Sequence, residues 1–316
     1  MDPSIVNYDP AMDEEVAVLL NEAWARLRAM RNIYVKESPW PMVDSGLLAR
    51  WREQGRLSAD GTFIAQAADG SKAAIFSVSA GDEGRGTLHF FGAHPGHSGH
   101  GHGSRTLAVA EEYLRSRGMR QVVTERVDSR CPIVNGFLRK SGFEVPDLDQ
   151  QSIIMLMGPQ GRVVRPVTLP DDGYRIATWD DDYLDDWVSI RNIAFEESTD
   201  ATLFLEHFRN RKDFDPEAWF FVQHRDRPVG IAGALERRNP DGSHRGGQVE
   251  WVAVLPEYRG KGLGEALAAT VLNRFVQRDV KPVALITQSF RHAAVTMYEK
   301  LGFRTIAQLL HYRKNL

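Results

Sequence analysis

The chain has 316 residues, 42% of them hydrophobic and 26% charged, with a formal net charge of -3; ordinary domains run to about 100–200 residues, so two globular domains are expected. The near-neutral balance speaks against nucleic-acid binding and against polybasic membrane attachment, both of which need an excess of Lys and Arg. The single cysteine, Cys131, cannot form an intramolecular disulfide, and no apolar run reaches the about 18 residues of a membrane span or builds a secretory leader, so a cytoplasmic protein without membrane partners is expected.

In the first half, apolar residues recur at helical spacing from Asp13 to Met30 and from Asp44 to Gln54. Thr62 to Gln66 and Ala73 to Val78, joined around Asp69-Gly70, read as a hairpin, and Thr87 to Ala93 as a strand running toward Pro95. The glycine loop Gly99-His100-Gly101-His102-Gly103 follows, then a helix through Leu107, Ala110 and Leu114 that stops at Gly118. Gln121 to Glu125 is the next strand, and Ser141-Gly142-Phe143 closes the half. Gly158-Pro159-Gln160-Gly161, with Pro166 and Pro170 beyond, reads as a linker.

The second half repeats these parts in the same order. Helical patterns cover Tyr183 to Phe195 and Asp200 to Arg209. Trp219 to Gln223 and Val229 to Leu235 form a hairpin across Arg225-Asp226-Arg227-Pro228, and Val249 to Leu255 is a strand ending at Pro256. The loop Arg259-Gly260-Lys261-Gly262-Leu263-Gly264 opens a helix through Leu267, Val271 and Phe275. Val283 to Ile286 is a buried strand, His292 to Lys300 a helix capped by Gly302, and Thr305 to Tyr312 a last strand. The interval from Gly103 to Gly264 equals that from Phe143 to Phe303 to within a single position. Two anchors at one offset imply an α/β chain built as a tandem repeat, with domains at 1–158 and 171–316 and a linker at 159–170.

A strand running into a glycine-rich turn and then a helix can hold a pyrophosphate on backbone N–H groups, and Arg259 and Lys261 add positive charge. The same turn also serves as a plain strand-to-helix connection. A P-loop is excluded, because Lys261 precedes the second glycine and no hydroxyl follows it. The dinucleotide fingerprint is excluded by position, since the loop follows a hairpin in mid-domain.

Val252-Ala253-Val254-Leu255-Pro256-Glu257-Tyr258-Arg259-Gly260-Lys261-Gly262-Leu263-Gly264, followed one helix and one strand later by Tyr298-Glu299-Lys300-Leu301-Gly302-Phe303, closely resembles the GCN5-related N-acetyltransferase (GNAT) family. The resemblance covers the second domain by element order and the first more loosely. It implies a mixed, splayed central sheet flanked by helices in each domain. It further implies acetyl-CoA as co-substrate, with its pyrophosphate on the amides of Arg259, Gly260, Lys261, Gly262, Leu263 and Gly264, and its pantetheine along Val252, Ala253 and Val254.

Acetyl transfer to an amine needs a base, a polarised carbonyl and a proton for the departing thiolate. An alkylamine with a pKa of about 10.4 is mostly protonated at neutral pH, so a carboxylate base is useful, and Glu250 is the candidate. Period-two alternation puts Glu250 on one face with Val252 and Val254; Gln248 shares that face and stands where many relatives of the family carry the glutamate. A phenol can return a proton to a thiolate, and Tyr298 occupies the position of the family's general acid. Arg291 stands where the family commonly has an asparagine.

The first domain places Leu138 opposite Tyr298, His89 opposite Glu250 and Ser98 opposite Arg259, so it is expected to be degenerate. His94, His97, His100 and His102 crowd its loop, but ligands on one loop make a poor metal site, and no metal is expected. The expected acceptor is the primary amine of a small molecule, held by the segment from Ala194 to Asp215 and by the last strands near Thr305 to Tyr312, with Phe195, Glu196, Glu197 and Trp251 as candidate contacts. A monomer or weak homodimer suffices for this scheme. The competing readings are an acyl-CoA sensor without turnover, and an acyltransferase using a longer donor or a hydroxyl acceptor.

Overall fold

The computed structural model describes residues 4–29, 40–170, 173–238 and 244–316. In the first half these form β1 (Ile5–Asn7), α1 (Asp13–Ala29), α2 (Ser45–Glu53), β2 (Thr62–Gln66), β3 (Lys72–Ala80), β4 (Arg85–Ala93), α3 (His102–Ser116), β5 (Gln121–Thr124), β6 (Val127–Asp128), α4 (Pro132–Lys140) and β7 (Ser152–Met157). The second half supplies β8 (Tyr174–Thr178), α5 (Leu184–Phe195), the short α6 (Thr202–Phe204), β9 (Trp219–His224), β10 (Arg227–Arg238), β11 (His244–Val254), α7 (Leu263–Gln277), β12 (Val283–Gln288), α8 (His292–Lys300), β13 (Phe303–Leu310) and β14 (Arg313–Asn315). Met30, expected to end the first helix, lies outside the described residues.

Local chemistry explains the boundaries. The first turn of α1 carries Asp13, Glu14 and Glu15 at the positive end of its dipole. The Asp44 carboxylate accepts from the Leu47 N–H and starts α2. The interval from His102 to Leu263, where α3 and α7 begin, is the same as that from Ser116 to Gln277, where they end. α4 and α8 keep that interval to within a single position at both ends. The repeat read from glycines and aromatics therefore extends to whole elements.

The chain divides into two compact units that interleave along the sequence, residues up to Ser152 together with Ala307–Leu316 in one and Ile153–Ile306 in the other. The first unit has the sheet β1-β2-β3-β4-β5-β14. Its neighbours are antiparallel except β4 and β5, which run parallel from Arg85↔Gln121 to Leu88↔Thr124. One core lies over α1 and α2, around Leu20, Trp24, Leu48, Trp51 and Phe90. The other, around Leu107, Leu114, Leu138 and Phe143, includes Leu310 and Tyr312 from the far end of the chain. Tyr312 is fully buried, and its hydroxyl donates to Asn135 Oδ1 at 2.7 Å.

In the second unit the strands run β8-β9-β10-β11-β12-β7-β13. The strand β7 is thus an inner strand here, with Ile153, Met155 and Met157 in the core beside Phe221, Leu267, Phe275 and Phe303. From Ala307 onward the chain belongs to the first unit, where Leu309 and Leu310 of β13 pair with β6. That corrects the expectation that the tail as far as Tyr312 helps build the acceptor cleft of the second domain: Leu310 and Tyr312 are core residues of the first unit. The expected linker is pinned to the second unit, since Asn273 exchanges hydrogen bonds with the backbone of Arg165 at 2.7 and 2.8 Å.

Candidate active site

In the second unit β11 carries an irregularity that organises the site. Ile231 pairs with Ala253, but Gly233 pairs with Glu250, so β11 holds one extra residue. Trp251 takes a φ of 51°. This is a β-bulge, a device that re-aims side chains. Glu250 lies opposite Gly233, where a Cβ would come within 2.8 Å of the Trp219 ring. Trp251 follows on the same side, edge-on to Trp187 and Phe195 of α5. Val254 lies opposite Gly230, on the face where a Cβ would meet Leu267 of α7 at 3.2 Å. Glu250 therefore faces α5 while Val252 and Val254 face the other way. The alternation expected to align the three fails because the extra residue shifts the parity of everything after it.

Beside the bulge the sheet opens. β11 and β12 pair only at Gly247↔Val283 and Gln248↔Ala284 and then part. The Leu255 N–H bonds to the Val229 carbonyl of β10 at 3.0 Å. By alternation the N–H groups of Val252 and Val254 point to the other edge, which β12 has left. On that edge the Val254 carbonyl accepts from Arg259 Nε at 3.1 Å.

The glycine loop sits at the end of this strand. Gly260 and Gly262 adopt φ of 77° and 78°, a left-handed conformation that any side chain would strain. A Cβ at either position would meet nothing within 4 Å, so the glycines serve backbone conformation and access, not packing. Gly262 caps α7, whose first turn closes with Ala266 N–H to Gly262 O at 3.0 Å. The N–H groups of Leu263, Gly264 and Glu265 are then the unclaimed donors of a helix N-terminus. Lys261 Nζ donates to the Tyr174 hydroxyl at 3.2 Å and lies 5.4 Å from the Tyr258 ring centroid. The first unit repeats the conformation, with φ of 83° at Gly99 and 77° at Gly101.

Tyr298 is buried on α8, its ring edge-on to Phe303. Burial pushes its phenol above the usual range, and the Glu250 carboxylate pushes it further the same way. The two sequence-selected proton-transfer groups are thus close enough to act on each other electrostatically. Several other polar atoms in this unit, Gln248 Oε1, Gln223 Oε1, Trp251 Nε1 and Arg237 Nε, are buried with no hydrogen-bond partner among the described residues. Such atoms mark ground that a ligand or water completes. Sequence reading had no signal for Arg237 and none for the bulge. Of the expected acceptor contacts, Trp251 holds the Arg191 guanidinium 4.5 Å from its ring, Glu197 is paired with Arg191, and Phe195 lies under Arg291. Arg291 itself donates to Gln288 Oε1 at 2.7 Å. Among the described residues no cluster of His, Cys, Asp and Glu could hold a metal ion, and no helix is long and apolar enough to cross a membrane.

The profile of the acetyltransferase (GNAT) family matches this chain twice, over residues 27–143 and 179–303. A mycothiol acetyltransferase of Streptomyces griseus is 30% identical over 228 residues, covering 70% of this chain and 69% of its own. One from Acidothermus cellulolyticus is 27% identical, covering 64% of this chain and 68% of its own. A tandem GNAT protein from the clavulanic acid biosynthesis pathway superposes with a TM-score of 0.67 at 14% identity, over 99% of this chain and 98% of the other. A GCN5-related N-acetyltransferase from Sphaerobacter thermophilus gives 0.65 at 19% identity, over 99% and 95%. A family profile present twice on two mixed sheets, each with the same strand, glycine turn and helix, places the chain in the acetyltransferase (GNAT) family as a tandem N-acetyltransferase.

Proposed function

We propose that residues 171–316 form the catalytic domain and transfer the acetyl group of acetyl-CoA directly to the primary amine of a small molecule, with residues 1–158 degenerate for that reaction. The observation that carries this reading is the fork between β11 and β12, with the N–H groups of Val252 and Val254 aimed into it and the open glycine turn at its end. The turn, from Arg259 to Gly264, fits a pyrophosphate, and the strand edge along Val252, Ala253 and Val254 fits an extended amide chain such as pantetheine. A strand-edge N–H there would also polarise the thioester carbonyl.

Glu250 faces α5, the side on which the unanswered polar atoms of Gln248 and Trp251 lie, so in this reading the amine approaches from that side and Glu250 takes its proton, directly or through water. Tyr298 stays protonated across the working range because its phenol is raised, and it returns a proton to the CoA thiolate. No metal is required. The names of the curated relatives favour a small-molecule acceptor over a protein, and a monomer or weak homodimer suffices.

The test is calorimetric titration with acetyl-CoA of the full chain, of Gly264→Glu and of Gly103→Glu, followed by an amine screen read as thiol release. Gly264 has only Met297 Sδ at 3.8 Å and Val254 Cγ2 at 4.0 Å near its missing Cβ, so the new carboxylate fits sterically and repels phosphate. Loss of binding in Gly264→Glu alone, with turnover of an amine, supports the reading. Undiminished binding in both variants refutes the cradle, and binding without turnover across the screen leaves the sensor.

A further inference from the structure

His89 is the counterpart of Glu250 on the equivalent strand of the first unit, and it is not an inert replacement. β4 has a bulge of its own, since Ser77 pairs with Phe90 but Val78 with Leu88, which leaves His89 as the extra residue. Its ring reaches two partners. Nδ1 lies 3.0 Å from Glu125 Oε1, and Nε2 lies 2.8 Å from Ser79 Oγ on β3.

The roles of these atoms follow from their chemistry. Glu125 accepts from Arg56 twice, from Nε at 3.1 Å and from Nη2 at 2.6 Å, so it is an ionised carboxylate that only accepts. The Nδ1 of His89 must therefore donate to it. With Nδ1 donating, a ring that carries no second proton offers Nε2 as a lone pair to which the Ser79 hydroxyl can donate. A hydroxyl on an imidazole whose far nitrogen is fixed by a carboxylate is the arrangement that activates a serine nucleophile, recognised by geometry whatever the fold. The group is within reach of solvent. Ser79 is half-buried, and the side chains of His89 and Glu125 are 13% and 41% exposed. Arg56 is itself held, 5.4 Å from the Trp51 ring centroid.

We propose that Ser79, His89 and Glu125 form a second catalytic centre that hydrolyses small activated acyl esters or thioesters. Ser79 Oγ bonds to the acyl carbon as its proton passes to His89 Nε2. The bond from that carbon to oxygen or sulfur then breaks, and the leaving alkoxide or thiolate takes the proton. Water, giving a proton to the same nitrogen, cleaves the acyl-serine ester, and Ser79 recovers its proton as the carboxylic acid departs. Arg56 is a positioning residue that acts through Glu125.

The test uses the full chain, a fluorophosphonate probe and p-nitrophenyl acetate, without any amine. The expected result is one covalent adduct mapped by tryptic mass spectrometry to the peptide containing Ser79, absent after heat denaturation and absent in Ser79→Ala. Ester hydrolysis should fall at least about 100-fold in His89→Gln and at least about tenfold in Glu125→Gln, with melting curves close to the parent. Tyr298→Phe should retain labelling, which separates this centre from acetyl transfer. An unlabelled parent chain, or an adduct on another serine, overturns the proposal and leaves the three side chains as a cross-strand hydrogen-bond chain. The mapping is done on the parent protein, so a variant that fails to fold does not blunt it.

Discussion

Replacing Tyr298 by phenylalanine separates catalysis from stability. The side chain is 6% exposed, and burial and the Glu250 carboxylate both raise its phenol. Phenylalanine keeps the ring and its packing and removes only the hydroxyl, so the stability change should lie within about 1 kcal/mol. As general acid the same hydroxyl is worth about 10²–10⁴ in rate, which at about 1.4 kcal/mol per decade is about 3–5 kcal/mol of barrier. The assay is kcat for acetyl transfer with a screened amine, beside a urea melt and acetyl-CoA binding. The phenol's pKa is raised in the folded chain above its unfolded value. Stability is therefore unaffected by this group below about pH 10 and falls as pH rises beyond it, because the folded chain resists ionising the phenol. Activity should accordingly show no fall between about pH 7 and 10 from this group, and Tyr298→Phe should be less sensitive to alkaline unfolding than the parent. A variant keeping kcat within about threefold of the parent refutes the assignment.

Three further outcomes are expected. Gly247→Ala puts a methyl within 2.7–2.9 Å of three atoms of the fully buried Phe275 ring; the strand cannot yield cheaply, and denaturant unfolding should show a loss of about 1–3 kcal/mol. Cys131 is fully buried and burial pushes its thiol up to about 12, so Ellman's reagent at pH 8 should find no thiol in the native chain and one per chain in guanidinium. Deleting Ala307–Leu316 removes Leu310, Tyr312 and the strand β14 beside β5; the first unit should unfold, seen as lost near-ultraviolet dichroism, since each of its large core residues is worth about 2–5 kcal/mol.

The repeat was readable because glycine and proline punctuate it, and because backbone geometry leaves little choice at those places. Gly101 and Gly262 both hold a left-handed turn before a helix, and that requirement is visible one residue at a time. The bulge at Trp251 was not readable, because a tryptophan at positive φ announces nothing in a sequence. Every inference about faces along β11 therefore broke after Glu250. Strand membership was hidden for a related reason. An apolar run such as Ser152–Met157 shows that it will be buried on both faces, and its pattern carries no address for the sheet that buries it. Ser79 lies near the end of β3, His89 at the bulge in the middle of β4 and Glu125 just past β5, so only the fold brings them together. His89 was visible in the sequence as the counterpart of Glu250, and its partners were not.

The interleaving of the two units sets a schedule for synthesis. A ribosome releases the chain as far as Ser152 long before Leu310 and Tyr312 exist, so the nascent first unit waits with an open sheet edge at β5 and an unfilled place in its core. The strand β7 meanwhile emerges before β12 and β13, the strands it will lie between. The first unit cannot be finished until the whole of the second has been made. A complete first unit therefore always comes with a complete second one, and a chain cut short before Ala307 exposes apolar surface that marks it for removal.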